Sequence, residues 1–361
     1  MKNKKFNISL IFSILLIVTF TSIFNYIIDP FAVFHNEHRF NRLRTNIDKN
    51  HRVSKIPSFK LLKDNVDAIW VGSSKTGWST NEKYESSVLK KNIKNMAINS
   101  CSFYEAITMI KNALLIHPEI KTIYFGIDFC MMGKGVEKSN SLQLVKNPKL
   151  TKEEILPLIL SFDTFQNSFK TFSKNLKKVK IQEVEYGVGK NYNKKVFHKF
   201  KNTINTYHSD FYHNFVLDEQ KFADLQNIVD WADKQGIKIV FFTTTMHSAE
   251  RILINNCGLS DSFYEFKRKL SKIQPYWDFA VINKYTTEEI KPDMQSFRDA
   301  VHAYPNIRKK ITNNLFGLKE DFGTYISTEN IDTHIKNEQK LFDNYLEKND
   351  LLVKKVEEWS N

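Results

Sequence analysis

Three cysteines in 361 residues are too few for a disulfide-stapled scaffold. Eleven glycines and eight prolines exclude a collagen-like repeat or a linker-like chain. No internal repeat is visible along the chain. Disorder throughout is excluded as well, because 42% of the residues are hydrophobic. A chain of this size buries a large core without staples. What is in excess is positive charge: 53 Lys and Arg stand against 40 Asp and Glu, a net of +13. That balance says little about fold, but it favours an anionic surface or polymer as a neighbour.

Only one long stretch lacks charge. Phe6 to Ile28 contains no charged residue, and at 1.5 Å per residue it reaches about 35 Å, enough to cross a ~30 Å hydrocarbon layer. Lys2, Lys4 and Lys5 precede it, and Asp29-Pro30 ends it. The near flank favours a cytoplasmic N-terminus (residues 1–5), although Arg39, Arg42 and Arg44 follow on the far side. A cleaved signal peptide would have a shorter apolar run and small residues before its cleavage site. Here the run ends in Phe24-Asn25-Tyr26-Ile27-Ile28. The expectation is therefore an uncleaved single span over 6–28, a juxtamembrane segment over 29–65, and the bulk of the chain outside the cytoplasm.

The remainder alternates strand and helix patterns. Short apolar runs at Asp67–Gly72, Lys94–Ile98, Lys121–Asp128, Ile237–Thr245 and Trp277–Ile282 read as strands. Between them, Tyr104–Ile116 repeats apolar residues at helical spacing and stops at Pro118. Phe222, Leu225, Val229 and Ala232 mark another helix. Such alternation predicts an α/β domain over 66–318 with a central parallel sheet covered on both faces. In such sheets sites form beyond the carboxyl ends of the strands. Residues 134–217 interrupt the alternation with a basic, polar, helical insertion that could cap the site. Residues 319–361 read as a helical tail.

The chemistry-bearing residues follow strands. Gly72-Ser73-Ser74 comes straight after the first, where a tight turn can hold a serine exposed above the sheet. Serine is a weak nucleophile unless a base takes its proton. Asp299-Ala300-Val301-His302 supplies a base and an acid three residues apart, a spacing that puts both side chains on one side of a helical turn. The carboxylate would orient the imidazole, as a Ser–His–Asp arrangement requires.

With these motifs the chain resembles the SGNH/GDSL hydrolase superfamily over roughly residues 60 to 315. Ser74 stands in the nucleophile position of the first block, and Asp299 and His302 in the last. Asn95-Met96-Ala97-Ile98-Asn99-Ser100 resembles the second block, with Ser100 where the family usually has Gly. Phe125-Gly126-Ile127-Asp128 resembles the third, with Asp128 where the family usually has Asn. The family's Gly and Asn donate hydrogen bonds to the oxyanion. Ser100 can still donate through its backbone N–H, whereas an ionised Asp128 cannot donate at all. Either Asp128 is protonated, or it turns away, or the hole uses Ser74 N–H and Asn99 instead.

Membership would imply a flavodoxin-like three-layer sandwich and acyl-ester chemistry through an acyl-serine. The membrane anchor and the Asp in the third block resemble a cell-envelope subgroup, which includes polysaccharide O-acetyltransferases and the D-alanylation accessory protein of teichoic acids. A serine esterase or O-acyltransferase acting on envelope polysaccharide is thus expected, with no cofactor. The alternative is a catalytically weak or inactive accessory protein of the same fold, docking an envelope polymer or a membrane-bound O-acyltransferase. The expected partners are an anionic polymer, the lipid bilayer and a membrane-bound O-acyltransferase.

Other signals carry less. Gly72 to Gly77 lacks the Gly-Lys-Ser/Thr ending of a phosphate loop. His35 and His38 have no second cluster at metal-ligand spacing. His247 follows the fourth strand, where a capping or structural role competes with substrate contact. The Lys170–Lys201 run with interleaved aromatics resembles a nucleic-acid patch, but an extracytoplasmic location argues for an anionic polymer or lipid. Cys101 and Cys130 each follow a strand, and their pairing is left open.

Overall fold

The structure is a computed structural model, and it describes residues 2–42, 44, 51–78, 80–135, 142–176 and 195–360. The helices in chain order are α1 (Lys2–Ile28), α2 (His51–Lys60), α3 (Ser74–Gly77), α4 (Glu82–Leu89) and α5 (Phe103–Ile116). Then come α6 (Lys152–Leu160), α7 (Phe162–Leu176), α8 (Val196–Tyr207), α9 (Glu219–Lys234) and α10 (Ser248–Asn256). The last are α11 (Ser260–Ile273), α12 (Pro305–Leu315), α13 (Ile331–Lys348) and α14 (Asp350–Ser360). The strands are β1 (Ala68–Val71), β2 (Ile93–Asn95), β3 (Thr122–Ile127), β4 (Lys238–Thr243), β5 (Tyr276–Asp278) and β6 (Thr324–Ile326). The chain forms two compact units. One gathers Met1–Asn65, Lys111–Pro118 and Leu144–Gln182, and the other the rest.

In the first unit, α1 is long and apolar enough to cross a membrane over Lys4–Ile28. Ser13 and Ser22 donate back into their own helix, to the carbonyls of Ser9 and Val18, so these two hydroxyls are satisfied without water. Asp29 ends it in a left-handed conformation, φ 44°, and its carboxylate accepts the Val33 N–H at 2.7 Å and the Phe34 N–H at 3.2 Å. Helices α6 and α7 pack against the last turns of α1, where Asn25 Nδ2 donates to the Ile159 carbonyl at 2.9 Å. His35 and His38, considered above as ligands, bond instead to the carbonyls of Ser58 and Ile27.

The second unit is α/β. Its sheet runs β2-β1-β3-β4-β5-β6, the first five strands parallel and β6 antiparallel to β5. Both faces are covered. Trp70, Tyr124 and Phe242 share one face with Ile307 and Ile311 of α12. The alternating Ile69, Val71, Ile123, Phe125 and Phe241 are equally buried. The chain leaves β1 for β2 on one side and returns to β3 on the other, so the strand order reverses beside the end of β1.

Several expectations are corrected here. The sheet is not wholly parallel, because the tail expected to be helical contributes β6 before α13 and α14. Strand β2 ends at Asn95, yet Met96 N–H still bonds to the Trp70 carbonyl and Ile98 N–H to that of Gly72, both at 2.9 Å. Strand β5 stops at Asp278 because Thr243 Oγ1 accepts the Phe279 and Ala280 N–H groups and turns the chain out of the sheet. The 134–217 insertion is not one excursion: residues 144–176 fall with the first unit and α8 with the second. The middle of the Lys170–Lys201 run, 177–194, lies outside the described residues. Cys101, Cys130 and Cys257 form no disulfide, and the first two are buried.

Candidate active site

Ser74 sits on the turn that follows β1. Gly72, at φ 144°, starts it in a conformation that side chains rarely adopt, and a Cβ there would overlap Thr76 and the Gly126 carbonyl. Ser73 then caps α3, its hydroxyl accepting the Lys75 N–H at 3.1 Å. Ser74 becomes the first helical residue, half-buried, with an N–H that has no intrahelical acceptor. Gly126 of β3 lies beneath, where a Cβ would come within 2.7 Å of the Phe242 ring. The turn is therefore seated on backbone.

The structure brings the three singled-out residues together. His302 Nε2 lies 2.9 Å from Ser74 Oγ, and His302 Nδ1 lies 2.9 Å and 3.0 Å from the two Asp299 oxygens. The sequence spacing of three is kept, but not on a helix. Phe297 and Ala303 form an antiparallel bridge, Arg298 N–H bonds to the His302 carbonyl at 3.0 Å, and Asp299 and His302 sit inside the loop so closed. Asp299 Oδ1 also accepts the backbone N–H groups of Val301 and His302, so the carboxylate shapes the loop that holds its own partner. Burial works against the charge on Asp299, yet His302, then Arg298 and the Val301 N–H, hold its carboxyl below the ordinary value. An ionised carboxylate only accepts, so the Nδ1 facing it carries a proton, and Nε2 of neutral His302 faces Ser74 as an acceptor.

The expected oxyanion residues divide. Asn99 and Ser100 follow Ile98, whose bond to Gly72 lays this segment beside the Ser74 turn. Ser100 adopts φ 51°, the left-handed region that glycine occupies without strain. Asp128 is buried after β3, and Thr244 Oγ1 donates to its Oδ1 at 2.5 Å. The carboxylate therefore has a partner on the neighbouring strand end and offers no N–H to an oxyanion in the ionised form. His247 caps α10 with Nδ1 and donates from Nε2 to the Glu288 carbonyl at 2.7 Å, so its role is structural.

Six residues near the site carried no sequence signal. Lys75, next to Ser74, is buried with Nζ 2.7 Å and 2.8 Å from the Glu250 carboxylate, to which Tyr212 OH also donates at 2.7 Å. Burial alone would lower the Lys75 pKa, but Glu250 and then Asp128 raise it above the ordinary value, so it stays charged. Trp78 packs 5.6 Å from the His302 ring, and the Arg298 guanidinium lies 3.9 Å over the Trp78 ring. Lys199 of α8 has its pKa pushed down to about 8, chiefly by burial and then by Arg298, with Asp299 acting in the opposite direction. A lysine beside a nucleophile reads as a surface residue until its buried partner, 175 positions away, is known. Among the described residues no group of side chains could hold a metal ion. No family model matches the chain, and no curated protein matches it in sequence.

Proposed function

We propose that this chain is a membrane-anchored serine esterase or O-acyltransferase of the SGNH type, acting on acyl esters of an envelope polysaccharide. The observation that carries the reading is the Ser74–His302–Asp299 contact chain at 2.9 Å per link. The strand order β2-β1-β3-β4-β5 supports it, being that of flavodoxin-like sheets, whose sites lie at the strand ends where the order reverses. Ser74 lies at that point.

The chemistry follows from the protonation states. Ser74 Oγ attacks the acyl carbonyl as His302 Nε2 takes its proton, and Asp299 stabilises the resulting imidazolium. The tetrahedral oxyanion accepts from Ser74 N–H, with Ser100 N–H or Asn99. The C–O bond to the leaving alcohol breaks as His302 returns the proton to that oxygen, leaving an acyl-Ser74 ester. Water or an acceptor hydroxyl, deprotonated by His302, then attacks the ester and releases Ser74. Lys199 and Arg298 give the approach a positive potential suited to an anionic polymer. In this account α1 spans the cell membrane with its N-terminus in the cytoplasm, and the sheet unit lies outside with a membrane-bound O-acyltransferase as partner. Nucleic acid is not a partner there.

Asp128 supports a second reading, in which the site binds a polymer or a membrane acyltransferase without efficient turnover, because a carboxylate stands where the resembling family has a donor. An activated ester such as 4-nitrophenyl acetate separates the two. The first reading expects nitrophenol release and a transient acetyl adduct on the Ser74 peptide by mass spectrometry. Both would vanish in Ser74→Ala, and unchanged release in that variant would refute it.

A further inference from the structure

The first unit has an apolar surface that its own core does not explain. In α7 the buried positions are Thr164, Asn167, Ser168 and Thr171, while Phe162, Phe169 and Leu176 are 55% to 71% exposed. The three exposed residues repeat every seven positions, so they form one stripe along the helix. Leu156 and Leu160 of α6 are exposed as well, one turn apart. Apart from Phe165 and Phe172, which pack half-buried on Phe24, small and polar side chains lie inside and large apolar ones outside, the reverse of a helix in water. Helices that meet within lipid show this arrangement, since small residues let backbones approach and apolar residues face acyl chains.

The length of α1 supplies an independent argument. Its side chains are exposed without a break from Phe6 to Phe20, and beyond that only Ile23, Tyr26 and Ile27 are. Those fifteen residues span only about 22 Å, short of a ~30 Å hydrocarbon layer. Crossing needs about 20 residues, and counted from Phe6 these reach Asn25. That is the segment on which α6 and α7 pack, through Phe24 against Phe165 and Phe172 with ring centroids 5.8 Å apart, and through Asn25 to Ile159. A membrane deep enough to accommodate α1 therefore reaches these two helices.

We propose that the α6–α7 hairpin is seated in the leaflet at the C-terminal end of α1, with Leu156, Leu160, Phe162, Phe169 and Leu176 against lipid. Beside the apolar stripe α7 carries Asp163, Gln166, Lys170 and Lys174, all exposed, which lie at headgroup level with the lysines toward anionic lipid. The anchor is then a span plus an interfacial hairpin, which resists rotation about the axis of α1 and holds the first unit at the membrane surface.

The inference rests on reading α1 as a span, and site-directed spin labelling tests the two separately. The full chain carrying Cys257→Ser is reconstituted in phosphatidylcholine–phosphatidylglycerol vesicles and labelled at Phe162→Cys, Phe169→Cys, Ile14→Cys or Leu351→Cys. Ile14 reports the span, and Leu351, in the second unit, is an exposed reference. The expected result is an oxygen-to-nickel-chelate accessibility ratio several-fold higher at 14, 162 and 169 than at 351. A high ratio at 14 with values at 162 and 169 equal to that at 351 would overturn the hairpin and leave the span. A low ratio at 14 would overturn both. Low accessibility to both reagents at 162 and 169 would mean that a protein surface, such as a second copy, covers the stripe, and would overturn the lipid assignment.

Discussion

Asp299 holds a loop and an imidazole with one carboxylate, and its charge is what fixes the tautomer of His302. His247 behaves in the opposite way. It is fully buried, its pKa is pushed down to about 4 by burial, and it works as a neutral helix cap. The two histidines both follow the sheet, but only one has a carboxylate at Nδ1, and that difference separates a candidate base from a structural residue. The sign of the pH effect follows. An unfolded chain protonates this histidine near its ordinary value of about 6.5, whereas the folded chain resists until about 4. Between those values the unfolded state binds more protons, so stability falls as the pH is lowered. The window is worth about 3 kcal/mol. Thermal melts of His247→Asn, which keeps a capping side chain, are expected to show a flatter fall from pH 6.5 to 4 than the parent chain. An identical slope would remove His247 from the account.

The nucleophile turn is more than a local motif at the level of elements. Lys75 and Glu250 join α3 to α10, and Tyr212, in the π-helical turn His208–Tyr212 after α8, closes the set. Both ionised groups are buried, so their attraction offsets a large desolvation cost, and removing one partner leaves a bare charge. Glu250→Ala is therefore expected to lower stability by about 3–5 kcal/mol in chemical denaturation. The double variant Lys75→Met, Glu250→Leu is expected to recover most of that loss. Equal losses in both would show that packing, not charge, dominates there.

The same elements show what sequence could reveal. Strands β1, β3 and β4 are runs of β-branched and aromatic residues buried on both faces, and the buried face forces that composition. Strand β6 has three residues, two of them exposed, so no hydrophobic pattern marks it. Ser74 and the Asp299–His302 spacing were legible because the chemistry restricts residue type. Their loop was not, because the Phe297–Ala303 bridge is a tertiary choice. Lys75 and Glu250 were illegible for the reason that makes them interesting: each is unremarkable without the other.

For the whole molecule, the candidate site exists only when the fold does. Ser74 and His302 are 228 positions apart, brought together because one starts α3 just after β1 and the other lies in the loop before α12. On the proposed reading, an activated serine is thus a property of the assembled sheet unit. The account also ties that unit through its own chain to a span near a membrane, with a net charge of +13 suited to anionic envelope material. The most direct test of the central claim is labelling of the full-length chain in detergent with a fluorophosphonate probe, beside Ser74→Ala and heat-denatured protein. The account predicts one label on Ser74 in the native chain and none in either control. A folded native chain that stays unlabelled, or a Ser74→Ala variant that labels as well as the parent, would contradict it.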